Sequence, residues 1–66
     1  MYIAIIDLYG DNNGRKSYYR KDGYCFSFTW DKKFATDLKP EECEAILKHK
    51  QWYLDQYKAS DMMVEH

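Results

Sequence analysis

Histidine, cysteine, glycine and proline are all scarce in this 66-residue chain, and each scarcity removes a class of function. The two histidines, His49 and His66, and the two cysteines, Cys25 and Cys43, show no CxxC spacing and no histidine pair, so no metal centre is expected. Cys43 and His49 fall on different faces of one helical segment, about two turns apart, and do not form a thiol–imidazole pair. Gly10, Gly14 and Gly23 sit in turn-forming contexts and build no phosphate-cradling loop. Glu41, Glu42 and Glu44 cluster at a helix start, where acids complement the helix dipole, and read as dipole partners rather than paired catalytic acids. With no room for an ordinary ligand cleft, the chain reads as a non-enzyme without cofactor, metal or catalytic residue.

A long apolar run is also lacking. The opening Met1-Tyr2-Ile3-Ala4-Ile5-Ile6 meets Asp7 too early for a secretory signal or a membrane span, and it has no basic leader. The expected compartment is the cytoplasm, that of a host cell if the source is viral, with both thiols reduced; a Cys25–Cys43 bridge is the alternative. Net charge is −1 but unevenly spread. Arg15, Lys16, Arg20, Lys21, Lys32 and Lys33 stand against only Asp22 and Asp31 in the middle, whereas acids outnumber lysines from residue 35 onward. Such a dipole suits a patterned protein partner better than non-specific nucleic-acid binding, which needs a net basic domain.

What is present is aromatic: seven tyrosines, three phenylalanines and two tryptophans. A single domain over residues 1–60 is expected, with residues 61–66 a frayed tail whose last three residues resemble the start of an expression tag. A core this small is thin and leans on whatever packs against it. Residues 2–9, YIAIIDLY, are rich in β-branched and aromatic side chains and read as a strand. Asn13-Gly14 and Asp22-Gly23 are hairpin signals, so residues 15–20 and 24–30 should follow as the second and third strands of a meander. Alternation over 24–30 puts Tyr24, Phe26, Phe28 and Trp30 on one face and Cys25, Ser27 and Thr29 on the other. That stretch matches the third-strand signature of RNA-recognition motifs at Gly23, Tyr24, Cys25 and Phe26. It departs at Ser27 and Phe28, and the Asn-Gly turn leaves no space for that fold's first helix. The four aromatics are therefore assigned to the core, where burying each contributes roughly 1.5–3 kcal/mol.

Pro40 suits a first helical position, and residues 40–58 contain no further Gly or Pro. Cys43, Ile46, Leu47, Tyr53, Leu54 and Tyr57 recur at helical spacing as a buried stripe, with the stem of Lys50 running along the sheet edge and its ammonium reaching water. Residues 31–38 are too apolar for a free loop and are expected to plug Phe34 and Ala35 into the core, with room for a short fourth strand at 36–38. The fold class is thus α+β: a three-stranded, or with that addition four-stranded, antiparallel meander packed on one C-terminal helix.

Opposite the buried stripe, Ala45, His49, Trp52 and Gln56 form a second one. Trp52 is either a surface ring lying on Lys48 and Gln56, or packed under the tail with Met62 and Met63, or an anchor for another protein. The candidate partner-binding residues are Trp52, His49, Gln56 and Lys48 on the helix, and Tyr18, Tyr19, Arg20 and Lys21 on the basic hairpin. From Tyr18 to Leu54 the chain resembles short phage and prophage accessory proteins in which an aromatic strand ends in Thr-x-Asp, an alanine follows, and Pro-Glu-Glu opens an amphipathic helix. Thr29, Asp31, Ala35, Pro40, Glu41 and Glu42 carry the likeness. The resemblance implies a meander-plus-helix fold and a mobile-element gene product that blocks a host machine, in the manner of anti-CRISPR inhibitors. The leading reading is a stoichiometric inhibitor or adaptor of a host protein or ribonucleoprotein. A single-strand nucleic-acid binder using an aromatic sheet face is the second, and a structural homodimer the third.

Overall fold

The computed structural model describes residues 1–7 and 14–66. Its architecture is α+β, with four antiparallel strands in one sheet and two helices over one face. The strands are β1 (Tyr2–Asp7), β2 (Lys16–Asp22), β3 (Cys25–Thr29) and β4 (Ala59–Glu65), ordered β3-β2-β1-β4; the helices are α1 (Pro40–Leu47) and α2 (Lys50–Tyr57). The first three strands follow one another as the expected meander, and Asn13 of the first hairpin signal lies outside the described residues.

The register assigns the two faces. Pairing of Ile5 with Ser17, Tyr19 with Phe28, and Ile3 with Val64 puts Ile3, Ile5, Tyr19, Phe26, Phe28, Met62 and Val64 toward the helices. These residues form the core with Leu38, Cys43 and Tyr53. Tyr2, Ala4, Tyr18, Arg20, Cys25, Ser27 and Thr29 line the opposite face. Cys25 is exposed there and Cys43 is buried on the helical side, both as free thiols; burial pushes the Cys43 thiol up from its ordinary pKa.

Only two of the four aromatics expected on the helical side of β3 pack there. Asp22 pairs with Cys25, so Gly23 and Tyr24 are the two central turn residues, with Gly23 at φ 63°. Glycine at the first central position is the arrangement of a type II′ hairpin, and it throws the Tyr24 side chain into solvent. Trp30 lies beyond the strand and is 56% exposed, with the Arg15 guanidinium 4.2 Å from its ring centroid.

The connection over residues 31–38 also differs from expectation. Asp31 accepts from the Lys33 N–H at 3.0 Å and starts a single 3-10 turn, Lys32–Phe34, which sends Lys32 over the open face and leaves Phe34 53% exposed. Leu38, not Phe34, enters the core. The Thr36 N–H donates to the Tyr19 carbonyl (3.1 Å), the Thr36 Oγ1 accepts from the Lys21 N–H (2.7 Å), and the Leu38 N–H donates to the Met1 carbonyl (2.6 Å). These bonds are strand-like without making a strand, and they carry the chain past the start of β1 onto the helical side.

The helix expected to run unbroken is interrupted at Lys48 and His49, where the His49 N–H bonds three residues back to the Ile46 carbonyl at 3.0 Å. No Gly or Pro marks the break. An unbroken helix over residues 40–57 would span about 27 Å, more than the roughly 20–23 Å length of a six- or seven-residue strand, so the interruption keeps both halves over the sheet. At the N-terminus of α1, where Lys39 offers no side-chain acceptor, Glu42 accepts from the Lys39 N–H at 3.1 Å.

The largest departure is the tail. Residues 61–65 are not frayed: they belong to β4, which pairs with β1 from Tyr2↔Glu65 to Asp7↔Ala59 and makes β1 an interior strand. The fourth strand therefore comes from the C-terminus and not from residues 36–38. Lys50 does reach past the sheet edge, and its ammonium is 2.8 Å from the Asp61 carboxylate. That contact holds the Asp61 carboxyl below its usual range.

Candidate functional site

Two surfaces gather the groups available for chemistry or recognition. The first is an ionic cluster on the open face of the sheet. Glu65, at the end of β4, receives the Lys32 ammonium at 2.8 Å and the Lys16 ammonium at 3.0 Å on separate oxygens, and the Tyr18 hydroxyl donates to it at 3.3 Å. The Lys32 ammonium also lies 5.2 Å from the Tyr2 ring and 5.8 Å from that of Tyr18. Hydrogen bonds from Lys32 and Lys16 hold the Glu65 carboxyl at about 2 and the Lys32 ammonium above its ordinary value. Two ammonium groups share the one carboxylate, and Lys32 lies over the Tyr2 and Tyr18 rings. The cluster fastens the 3-10 turn to β2 and β4.

A pH dependence follows. Glu65 releases its proton at about 2 in the folded chain and near 4.5 when unfolded, so the unfolded chain binds more protons between those values. The contribution is complete above about 4.5 and is lost as pH falls toward 2. Thermal melts across this window are expected to show a falling acid limb that Glu65→Gln flattens.

The second surface is aromatic and belongs to α2, the hairpin tip and the β3 edge. Trp52 stands edge-on to Tyr53 (centroids 5.0 Å apart) and to Phe26 (6.3 Å), with 49% of its surface in solvent. The tail methionines expected beside it belong to β4, and Trp52 is not buried in the core. Tyr57, expected in the buried stripe, sits on Phe28 at 4.7 Å yet is 37% exposed. Tyr53 takes the interior position, with Phe26 at 5.5 Å and Phe28 at 6.2 Å. Burial raises the pKa of Tyr53 and of Tyr19.

Of the candidate binding residues on the helix, Trp52, His49, Gln56 and Lys48 are all exposed, with Lys48 and His49 in the turn between the helices. The hairpin set does not hold together. Tyr18 is buried beneath the ionic cluster and Tyr19 is in the core. Arg20 and Lys21 are exposed but alternate across the sheet, Arg20 toward the open face and Lys21 toward the helices, where its ammonium is 3.8 Å from Glu42. They make no common patch. Sequence reasoning missed the exposure of Tyr24, Trp30 and Tyr57. For Tyr24 the signal was available, since a two-residue turn centred on Gly23-Tyr24 excludes that side chain from either face.

A cleft of about 190 Å3 opens between α1 and β2, lined by Tyr19, Lys21, Leu38, Glu42, Ala45 and Ile46. It is smaller than the roughly 300–1,000 Å3 of ordinary small-molecule sites. Among the described residues, no three His, Cys, Asp or Glu side chains stand close enough to hold a metal ion. Among the same residues, no helix is long and apolar enough to cross a membrane. On β3, Phe26 and Phe28 turn toward the helices and Cys25, Ser27 and Thr29 take the open face. Comparison with protein-family models, with curated proteins and with solved structures finds no match in any of the three.

Proposed function

We propose that this chain is a small non-enzymatic binding protein of the phage or mobile-element type, which docks stoichiometrically on a host protein or ribonucleoprotein and blocks or adapts it. The contact surface is the outer side of α2, with Trp52 at its centre and His49, Gln56 and Lys48 around it. The observation that carries this reading is the posture of Trp52: half its surface is free, while the rings of Tyr53 and Phe26 meet it edge-on. A ring fixed in this way loses little conformational entropy on binding, and tryptophan is among the residues that most often supply the energy of an interface. The polar neighbours keep the free molecule soluble and supply a rim.

Affinity capture from host lysate with the wild type and Trp52→Ala, followed by titration of the captured partner, tests the assignment. Trp52→Ala is expected to weaken binding about tenfold or more, the scale of losing a central aromatic anchor. Equal binding by the two proteins removes α2 as the contact surface, and absence of any captured partner removes the inhibitor reading.

A further inference from the structure

β3 is an edge strand without the features that normally protect one. Its outer side is joined to no strand among the described residues. The two-residue turn makes Asp22 and Cys25 the first hydrogen-bonded pair of the hairpin. By alternation the backbone groups of Cys25, Ser27 and Thr29 then face β2, and those of Phe26 and Phe28 face outward, unpaired. Natural edges are guarded by lysine or other charges, proline, or bulges. From residue 23 to residue 30, GYCFSFTW, there is no charge and no proline, and the β2–β3 register runs without a shift. The opposite edge differs: β4 carries Asp61 and Glu65, and its pairing with β1 is interrupted between Ile6 and Asp7.

The sequence of the edge also states which strand fits it. Cys25-Phe26-Ser27-Phe28-Thr29 reads small, Phe, Ser, Phe, small in either direction. An antiparallel partner related by a two-fold axis through Ser27 sets Phe26 against Phe28 of the other copy, Cys25 against Thr29, and Ser27 against itself. Both outward-facing residues then exchange backbone hydrogen bonds. Aromatic cross-strand pairs meet on the helical side, and no charged residue opposes another along the strand. We infer that β3 pairs with β3 of a second copy of this chain, in antiparallel register about Ser27, joining two four-stranded sheets edge to edge with both helical layers on the same side. Phe26 and Phe28 are only half-buried in the single chain, and a domain with so thin a core gains from a partner subunit. The interface uses the backbone of the β3 edge, whereas the partner assigned to α2 contacts Trp52 and its polar neighbours, so the two adjoin at Phe26.

Sedimentation equilibrium of the full chain over a roughly hundredfold concentration range gives the first readout, because a self-association shifts with protein concentration. The wild type is expected to dimerise. Ser27→Lys, an exposed position on the open face, places like charges opposite each other at the axis and is expected to weaken the dimer by about tenfold or more. The register has its own readout. Ser27 faces itself at a non-hydrogen-bonded position, where opposed Cα atoms lie about 4.5 Å apart, within disulfide range. With Cys25→Ser/Ser27→Cys, oxidised glutathione should convert the two thiols into an intermolecular disulfide and release two molecules of reduced glutathione. A covalent dimer in that variant, together with a monomeric Ser27→Lys that retains the wild-type circular dichroism, supports the proposal. A wild type that stays monomeric throughout overturns it and leaves the edge to a strand of a different chain. A dimer that fails to cross-link at position 27 overturns the register.

Discussion

A chain ending at Ser60 is expected to be unfolded in water at room temperature, with the far-ultraviolet circular dichroism and narrow amide dispersion of a disordered polypeptide. The deletion removes five of the register pairs that join β4 to β1, from Ile6↔Asp61 to Tyr2↔Glu65. It also takes Met62, 2% exposed, from the core and Glu65 from the ionic cluster. Loss of a buried methionine side chain alone costs about 2–5 kcal/mol. A domain of this size has about 3–10 kcal/mol of total stability, at roughly 0.05–0.15 kcal/mol per residue. Ile3 and Ile5, the largest fully buried side chains, would then lie on a strand with one open edge. A truncated chain that keeps the wild-type spectrum and a cooperative melt would show the last strand to be dispensable.

The second large effect separates two adjacent aromatics. Tyr53→Ala is expected to lose about 3–5 kcal/mol, the range for emptying a buried aromatic site, and to unfold at a much lower urea midpoint. Tyr53 is 9% exposed and its ring meets those of Phe26, Phe28 and Trp52, so no neighbour can collapse into the vacancy without abandoning another contact. Trp52→Ala, one residue earlier, should cost about 1 kcal/mol, the value of its edge contacts. For a domain this small that is a fall of about 4–8 °C in melting temperature. Equal losses from the two variants would place both rings in the core and withdraw Trp52 as a docking anchor.

These contrasts locate what the sequence made legible. The hairpin at Gly23, the helix start at Pro40 and the alternation through Phe26 and Phe28 are local, each set by the conformational preferences of a few adjacent residues, and each forms as those preferences require. β4 was hidden because its start signal is disguised. The helix ends at Lys58 in the left-handed conformation (φ 51°, ψ 48°), a position where glycine or asparagine ordinarily announces the stop. Ala59 and Asp61, which open the strand, are poor strand formers. Its alternation of Asp61, Met63 and Glu65 with Met62 and Val64 was the remaining clue, and only pairing with β1 gives it meaning. Phe34 and Leu38 exchanged places for a similar reason. Composition marks residues 31–38 as partly buried, but the Asp31 cap and the reach of Lys32 to Glu65 decide which apolar side chain turns inward. Within the candidate site, the exposure of Trp52 was legible from the helical wheel, whereas the two rings that brace it come from β3 and from its own neighbour, and the burial of Tyr18 depends on a lysine and a glutamate far away in sequence.

The pairing of the first strand with the last also fixes when the molecule can be completed. During synthesis β1 emerges before β2 and β3, which follow soon enough to form their hairpins, but the far flank of β1 has no strand partner until β4 has been added. Contacts that close nearly the whole chain bring their reward only after the longest loop has been paid for in entropy, which places the closing step late and slows it relative to a helical bundle of the same length. Until then the apolar YIAIID segment shows a bare edge to its surroundings. Completion of the sheet is therefore tied to the synthesis of β4, and a chain that still lacks that strand is the species whose β1 is most exposed to aggregation and to chaperones.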